Sequence, residues 1–151
     1  MRVVLDVNVA IAAAATRGLC EAIMELCIDQ HQIILCGGIL DEIEDQLRHK
    51  LRIPRPIIAE YINLLASNAQ VLRPVAIDST ACRDPDDLML LGVAISGGAD
   101  AIITGDKDLL LLKSFKGVKI ATLRTFWETN QKPQRASNKA LRRNKGSDAG
   151  K

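Results

Sequence analysis

Short apolar runs alternate along the chain with longer segments whose apolar residues recur every three to four positions. The short runs are typical of buried β-strands, and the periodic segments are typical of helices. The predicted strands cover residues 2–6, 32–36, 71–75, 101–104 and 118–123. The predicted helices cover residues 8–30, 38–51, a segment starting near Pro56, residues 85–96, a short segment before the last strand, and a segment after it.

Two breaks in this pattern refine the prediction. Gly18 is expected to interrupt the first helical segment, since glycine is a poor helix former. Pro74 has no backbone N–H to donate to a sheet, so the third strand is expected at an edge.

The alternation of strands and helices determines the expected fold class. Consecutive βαβ units form a parallel sheet that is covered by helices on both faces. The pattern therefore predicts a three-layer α/β domain with a central parallel sheet of about five strands. The sequence has no internal repeat and no inter-domain linker before residue 130. We expect one domain over residues 1–129 and a basic tail over residues 130–151.

Composition supports a globular, cytoplasmic protein. Hydrophobic residues make up 48% and charged residues 25% of the sequence, which is typical of folded chains and not of disordered ones. No apolar run approaches the roughly 20 residues that span a bilayer, and Asp6 interrupts the first run, which excludes a signal peptide and predicts no membrane contact. The four cysteines and two histidines lack the spacing of a metal site.

Charge is unevenly distributed. From Gln131 onward the sequence contains seven Lys or Arg residues and one Asp, whereas the preceding body is net acidic. The basic segment is poor in apolar residues, so we expect it to be disordered. Its charge attracts polyanions, although a solubilising extension is an equally good interpretation.

Acidic residues recur where predicted strands end and helices begin. Asp6 ends the first strand, and Asp106 follows the strand at 101–104. Ligands of open parallel sheets bind outside the carboxyl ends of the strands, so these two carboxylates share one crevice if their strands are neighbours. Asp87 lies in the first turn of an apolar helix, where its charge either only stabilises the helix N-terminus or also belongs to the site. In the helix at 38–51, periodicity does not choose between Glu42 and Glu44.

Several carboxylates in one crevice require a counterion. Two unit charges about 4 Å apart repel by about 4 kcal/mol at an effective dielectric constant of about 20. A group of such acids therefore shares protons or holds a cation. Oxygen ligands without Cys or His favour Mg²⁺ or Mn²⁺ over zinc. This chemistry favours metal-assisted hydrolysis of a phosphodiester.

Three stretches together resemble the PIN-domain ribonucleases, in particular the prokaryotic branch that includes toxins of toxin–antitoxin pairs. They are VVLDVNV, ILDEIEDQL and DPDDLMLLGVAISGGADAIITGDKDLL. The resemblance covers roughly residues 1–127. It implies a Rossmann-like parallel sheet, a cleft of three or four acids that binds Mg²⁺ or Mn²⁺, and cleavage of single-stranded RNA. It also implies an antitoxin partner, and homodimers are common in such folds.

The family motifs assign roles by position. The catalytic and metal-binding acids correspond to Asp6, Glu42, Asp87 and Asp106, with Asp108 as an auxiliary acid. Asn8 and Thr104 are the polar residues expected to orient them. Two positions depart from the family pattern: Val7 replaces a common Thr, and Cys36-Gly37-Gly38 replaces a segment that commonly contains Ser. Both departures remove hydroxyl groups that orient metal ligands, so metal affinity is expected to be reduced.

Substrate contact is expected to depend on charge, because aromatic residues make up only 3% of the sequence. The candidate phosphate contacts are Arg48, Lys50, Arg52, Arg55 and Lys107. A solvated basic surface is the other interpretation of the first four. A PIN-like module that binds RNA or a protein with little catalysis remains the alternative function.

Overall fold

The computed structural model describes residues 1–131, so the predicted basic tail lies almost entirely outside the described residues. It contains six strands and seven helices within that range. The strands are β1 (Arg2–Leu5), β2 (Gln32–Leu35), β3 (Ala69–Val71), β4 (Ala101–Ile103), β5 (Ser114–Phe115) and β6 (Val118–Ala121). The helices are α1 (Val7–Ala15), α2 (Leu19–Gln30), α3 (Gly37–His49), α4 (Arg55–Ser67), α5 (Pro85–Ser96), α6 (Lys107–Leu112) and α7 (residues 123–131).

The sheet confirms the predicted α/β class. Its strand order is β3-β2-β1-β4-β6-β5, and every neighbouring pair is parallel except β5 and β6. The order reverses between β1 and β4, because β1 leads to β2 on one side while β4 pairs with β1 on the other. Such a reversal is where open α/β sheets place their binding sites.

The sheet has one strand more than the pattern predicted. β5 and β6 form an antiparallel hairpin whose turn contains Lys116 and Gly117, both with positive φ (46° and 85°). Two consecutive positive φ angles are typical of the type I′ turn that joins hairpin strands. β5 contains only two residues, which is too short for a periodic signal.

The third strand begins and ends earlier than predicted. It covers Ala69–Val71 and lies at the edge of the sheet, as Pro74 indicated, but residues 72–75 are not part of it. Beyond Pro74 the chain crosses α5, where the Val75 N–H donates to the Gly92 carbonyl oxygen at 3.2 Å. The proline therefore marks the departure of the chain from the sheet, and the edge position of the strand is confirmed.

The core lies between the sheet and its flanking helices. The central residues of β1, β2 and β4 are 0–1% exposed. α5 is buried from Leu90 to Ala94 and packs against β1, β2 and α3, in agreement with its predicted apolar surface. The predicted break near Gly18 is also present, since α1 ends at Ala15 and α2 begins at Leu19. None of the helices in residues 1–131 has both the length and the apolar character needed to cross a membrane.

Candidate active site

The two central parallel strands bring Asp6 and Thr104 together. β1 and β4 are hydrogen-bonded neighbours in which Leu5 pairs with Ile103, so the residues that follow them lie side by side. The Thr104 hydroxyl is completely buried and donates to Asp6 Oδ2 at 2.6 Å. It also accepts from the backbone N–H of Asp106 at 2.9 Å. Thr104 therefore orients one predicted site acid and the backbone of another.

Asp106 begins α6 as its N-cap. Its Oδ1 atom accepts from the backbone N–H groups of Asp108 and Leu109 at 2.8 and 3.1 Å. This arrangement satisfies two of the N–H groups that a helix leaves unpaired at its start. One carboxylate oxygen is thus committed to the helix, and the other makes no hydrogen bond within residues 1–131. The Asp108 side chain is exposed and does not line the cleft described below.

The first turn of α5 separates a capping acid from a buried acid. Asp84 caps the helix by accepting from the Asp86 N–H at 2.9 Å. Asp87, by contrast, is only 7% exposed, and its carboxylate has no hydrogen-bond partner or salt bridge among the described residues. Burial, followed by the negative charges of Asp106 and Asp84, raises the pKa of Asp87 to about 7. Helix capping therefore does not account for Asp87.

Glu42 faces the same region from α3. It is half-buried, and its Oε1 accepts from Gln46 Nε2 at 3.1 Å, one helical turn further on. Burial raises the pKa of Glu42, and the neighbouring charge of Asp86 raises it further. Glu44 instead lines a separate groove between α3 and α4. The structure thus places Glu42, and not Glu44, toward the other acids.

These elements enclose a polar cleft of about 190 Å³ at the carboxyl end of the sheet. Burial raises the pKa of Asp6 as well, and the charge of Asp106 adds to this effect, while the Thr104 hydrogen bond opposes it. The lining residues are Asp6, Val7, Asn8, Ile39, Glu42, Gln46, Lys50, Asp84, Asp86, Asp87, Met89, Leu90 and Asp106. The four acids expected to be catalytic therefore border one cavity, together with Asn8; their roles stay predictions.

The donor set suits a hard divalent cation. Apart from Lys50, the charged groups that line the cleft are carboxylates, and no Cys or His lines it. Oxygen ligands of this kind are those of Mg²⁺ and Mn²⁺. In the described part of the chain, however, no three Asp, Glu, His or Cys side chains stand close enough together to form a ready-made metal site. The fit therefore rests on the chemistry of the side chains and not on preassembled ligand geometry.

The five predicted phosphate-contact residues do not form one surface. Lys50 lines the cleft, whereas Arg48 and Arg55 line the groove that contains Glu44. Arg52 lies in the loop after α3 with a φ of 52°, and Lys107 is an exposed residue at the start of α6. Neither of these two borders the cleft.

Three polar residues of the cleft were not predicted as part of the site. They are Gln46, Asp84 and Asp86. Gln46 could have been found from its spacing, because residues four apart share one face of a helix and Glu42 was already a candidate. Asp84 and Asp86 stand at the start of α5, where acidic residues stabilise a helix terminus whether or not a site is present, and Asp84 does cap α5.

Known proteins share this fold. A family model described as PIN domain matches residues 2–108. A chain of VapBC2 from Rickettsia felis, solved bound to a DNA fragment from their promoter, is 13% identical with a TM-score of 0.58, covering 81% of this chain and 98% of that one. Mycobacterium tuberculosis VapC20, a Sarcin-Ricin loop cleaving toxin, is 14% identical with a TM-score of 0.55, covering 78% and 98% respectively.

Comparison with curated protein sequences finds no match. The two structural likenesses have low identity, so they establish the fold and leave the chemistry to the residues of the cleft. The family match includes all four acids expected to be catalytic and extends over most of the sequence. It confirms the resemblance found in the sequence motifs, and the chain belongs to the PIN-domain family.

Proposed function

We propose that the protein is a metal-dependent endoribonuclease that hydrolyses phosphodiester bonds of single-stranded RNA. The observation that carries the proposal is the buried Asp87 carboxylate, which lines the same cleft as Asp6 and Asp106 without a hydrogen-bond partner in residues 1–131. Its raised pKa reflects a negative charge that the fold leaves uncompensated. Buried charges in proteins are either paired with an opposite charge or bound to a cation, and no paired cation is present for Asp87 among the described residues.

Asp6, Glu42, Asp87 and Asp106 are the residues that would hold Mg²⁺ or Mn²⁺, with Asp108 as an auxiliary acid. When bound, such an ion supplies a water of lowered pKa and shields the charge on a phosphate. Thr104 orients Asp6 through its hydroxyl, and Gln46 orients Glu42 through its amide. The N-cap hydrogen bonds of Asp106 fix one of its oxygens and leave the other without a hydrogen bond in residues 1–131, at a residue that lines the cleft.

The proposal includes a biological role as the toxin of a toxin–antitoxin pair. The two structural neighbours support it, since one belongs to VapBC2 and the other is described as a toxin that cleaves the Sarcin-Ricin loop. We expect an antitoxin partner that blocks the cleft, and action on RNA in the cytoplasm. Growth arrest on expression, relieved by a neighbouring short reading frame, would support this role.

The test of the nuclease activity is cleavage of a fluorescent single-stranded RNA by the full chain. We expect cleavage with Mn²⁺, none after chelation, and a rate at least about 100-fold lower for Asp6→Asn, because even the loss of groups that only orient ligands costs about 10–100-fold. Asp29→Asn, a matched change on the exposed surface of α2, should leave the rate unchanged.

Equal cleavage by the wild type and Asp6→Asn would refute the assignment of activity to this cleft. Binding of RNA without cleavage by either protein would instead favour a PIN-like module that binds RNA or a protein.

A further inference from the structure

The cleft contains one basic side chain in the part of the chain that the structure describes. Lys50 lines it together with the acids, and its side chain is exposed. Lys50 forms no salt bridge within residues 1–131, although carboxylates surround the same cavity. An unpaired ammonium group beside an acidic cleft is available to an anionic ligand, since it does not have to give up a protein partner first.

The reason that Lys50 stays unpaired lies in the hydrogen bonding of α3. Glu42, Gln46 and Lys50 follow one another at intervals of four residues, so they lie along one face of the helix. The Gln46 amide, and not Lys50, is the partner of the Glu42 carboxylate. Glu42 is therefore oriented by a neutral donor, and Glu42 does not neutralise the charge of Lys50.

The position of Lys50 determines which part of a substrate it can reach. Lys50, the C-cap of α3, lies eight positions after Glu42, which corresponds to about 12 Å along the helix axis at about 1.5 Å per residue. A stacked strand rises about 3.4 Å per nucleotide. A phosphate bound at Lys50 therefore lies about three to four nucleotides to one side of the phosphate at the acids.

The other candidate cations lie outside this path. Arg48 and Arg55 line the groove between α3 and α4 that contains Glu44. These arginines can attract RNA to the protein in general, but they do not offer a contact within the cleft.

We infer that Lys50 is the phosphate anchor of this site: it binds the RNA backbone at a flanking phosphate and directs the strand along the face of α3 toward Glu42. The inference rests on the proposed nuclease function. It assigns Lys50 to substrate binding and gives it no part in the chemical step.

The test measures RNA binding in a background that is expected not to cleave. A fluorescent single-stranded RNA of about ten nucleotides, a length within the usual range of single-strand sites, is titrated with the Asp6→Asn protein in Mg²⁺ over a series of salt concentrations. The Lys50→Ala, Lys50→Arg and Arg55→Ala changes are each added to this background. Arg55→Ala is the matched control, because it removes the same charge from the neighbouring groove.

We expect Lys50→Ala to reduce the magnitude of the slope of log K against log salt concentration by about 0.7, and to weaken binding about fivefold at about 0.1 M salt. Both values correspond to the loss of one phosphate contact. Lys50→Arg should retain the slope of the Asp6→Asn background, and Arg55→Ala should also leave that slope unchanged. In the cleavage-competent chain, Lys50→Ala should raise KM and leave kcat unchanged.

Equal slopes for Lys50→Ala and Arg55→Ala would overturn the anchor and indicate a general charge effect. Undetectable binding of RNA by the Asp6→Asn background would also overturn the anchor. Failure of the wild type to cleave RNA would overturn the nuclease function separately, because the comparison of slopes does not depend on cleavage.

Discussion

Replacing Asp87 by Asn should stabilise the metal-free protein most strongly at neutral and alkaline pH. The folded protein keeps a proton on Asp87 up to about pH 7, whereas the unfolded chain loses it near the ordinary value of 3.8. Between these pH values the folded state binds more protons, so the stability that depends on this group falls as pH rises through the window and is constant above it. Asparagine has no charge to bury, and it removes this loss.

The size of the effect follows from the same pKa. Between about pH 5 and about pH 7 the difference in unfolding free energy between Asp87→Asn and the wild type grows by at most about 2.7 kcal/mol, at about 1.36 kcal/mol per pKa unit. We halve this to about 1.4 kcal/mol, because Asp87 borders a cleft that is open to water and solvent screens part of the repulsion. For a chain of this size, 1 kcal/mol shifts Tm by about 2–4 °C, so about 3–6 °C is expected.

The assay is thermal unfolding of the wild type and Asp87→Asn in chelator near pH 5 and near pH 8. The Tm of the variant minus that of the wild type should be about 3–6 °C larger near pH 8. Using this difference cancels the contribution of Glu42, whose pKa is also raised, and retains the repulsion between Asp6 and Asp87 as part of the Asp87 effect. Asp29→Asn serves as the surface control. A difference that does not grow with pH would show that Asp87 carries no uncompensated charge.

Two further changes test the packing around the site. Thr104→Val keeps the buried volume but leaves Asp6 Oδ2 and the Asp106 N–H without their partner, so the unfolding free energy measured in urea should fall by about 1–3 kcal/mol. The same change at exposed Thr129 should be neutral. Gly92→Ala adds a Cβ that would overlap the Val75 carbonyl oxygen, so it should destabilise the protein by about 1–3 kcal/mol although alanine has the better helix propensity. An unchanged or higher urea midpoint would contradict this prediction.

The sequence predicted the architecture well because the sheet is built from βαβ units. Each central strand is a short apolar run that is buried on both faces. The helical segments after β1 and β2 are long enough to show their own period, whereas α6 after β4 has only six residues. The hairpin of β5 and β6 has no such signal, since β5 contains only two residues and pairs through a local turn. Tertiary contacts also decided where β3 ends, because the chain leaves the sheet to pack on α5 at Gly92.

The site was predictable where topology determines it and not where helix rotation does. Asp6 and Asp106 follow strands, and the neighbouring positions of β1 and β4 bring them to one edge. Glu42 and Glu44 both border the apolar face of one helix, so the choice between them depended on how α3 packs against α1, α4 and α5. The same rotation separates Lys50 from Arg48, although the two residues are only two positions apart.

Acids at helix starts have two possible purposes, and the structure distinguishes them residue by residue. Asp84 uses its carboxylate to cap α5, and Asp106 uses one oxygen to cap α6, so both stabilise the fold whether or not a ligand binds. Asp87 makes no capping hydrogen bond and is buried beside other negative charges. The positive end of the α5 dipole compensates it by at most about 2 kcal/mol. A buried charge that destabilises the free protein is retained more readily when a bound cation reverses the penalty, which makes Asp87 the acid whose presence depends most directly on function.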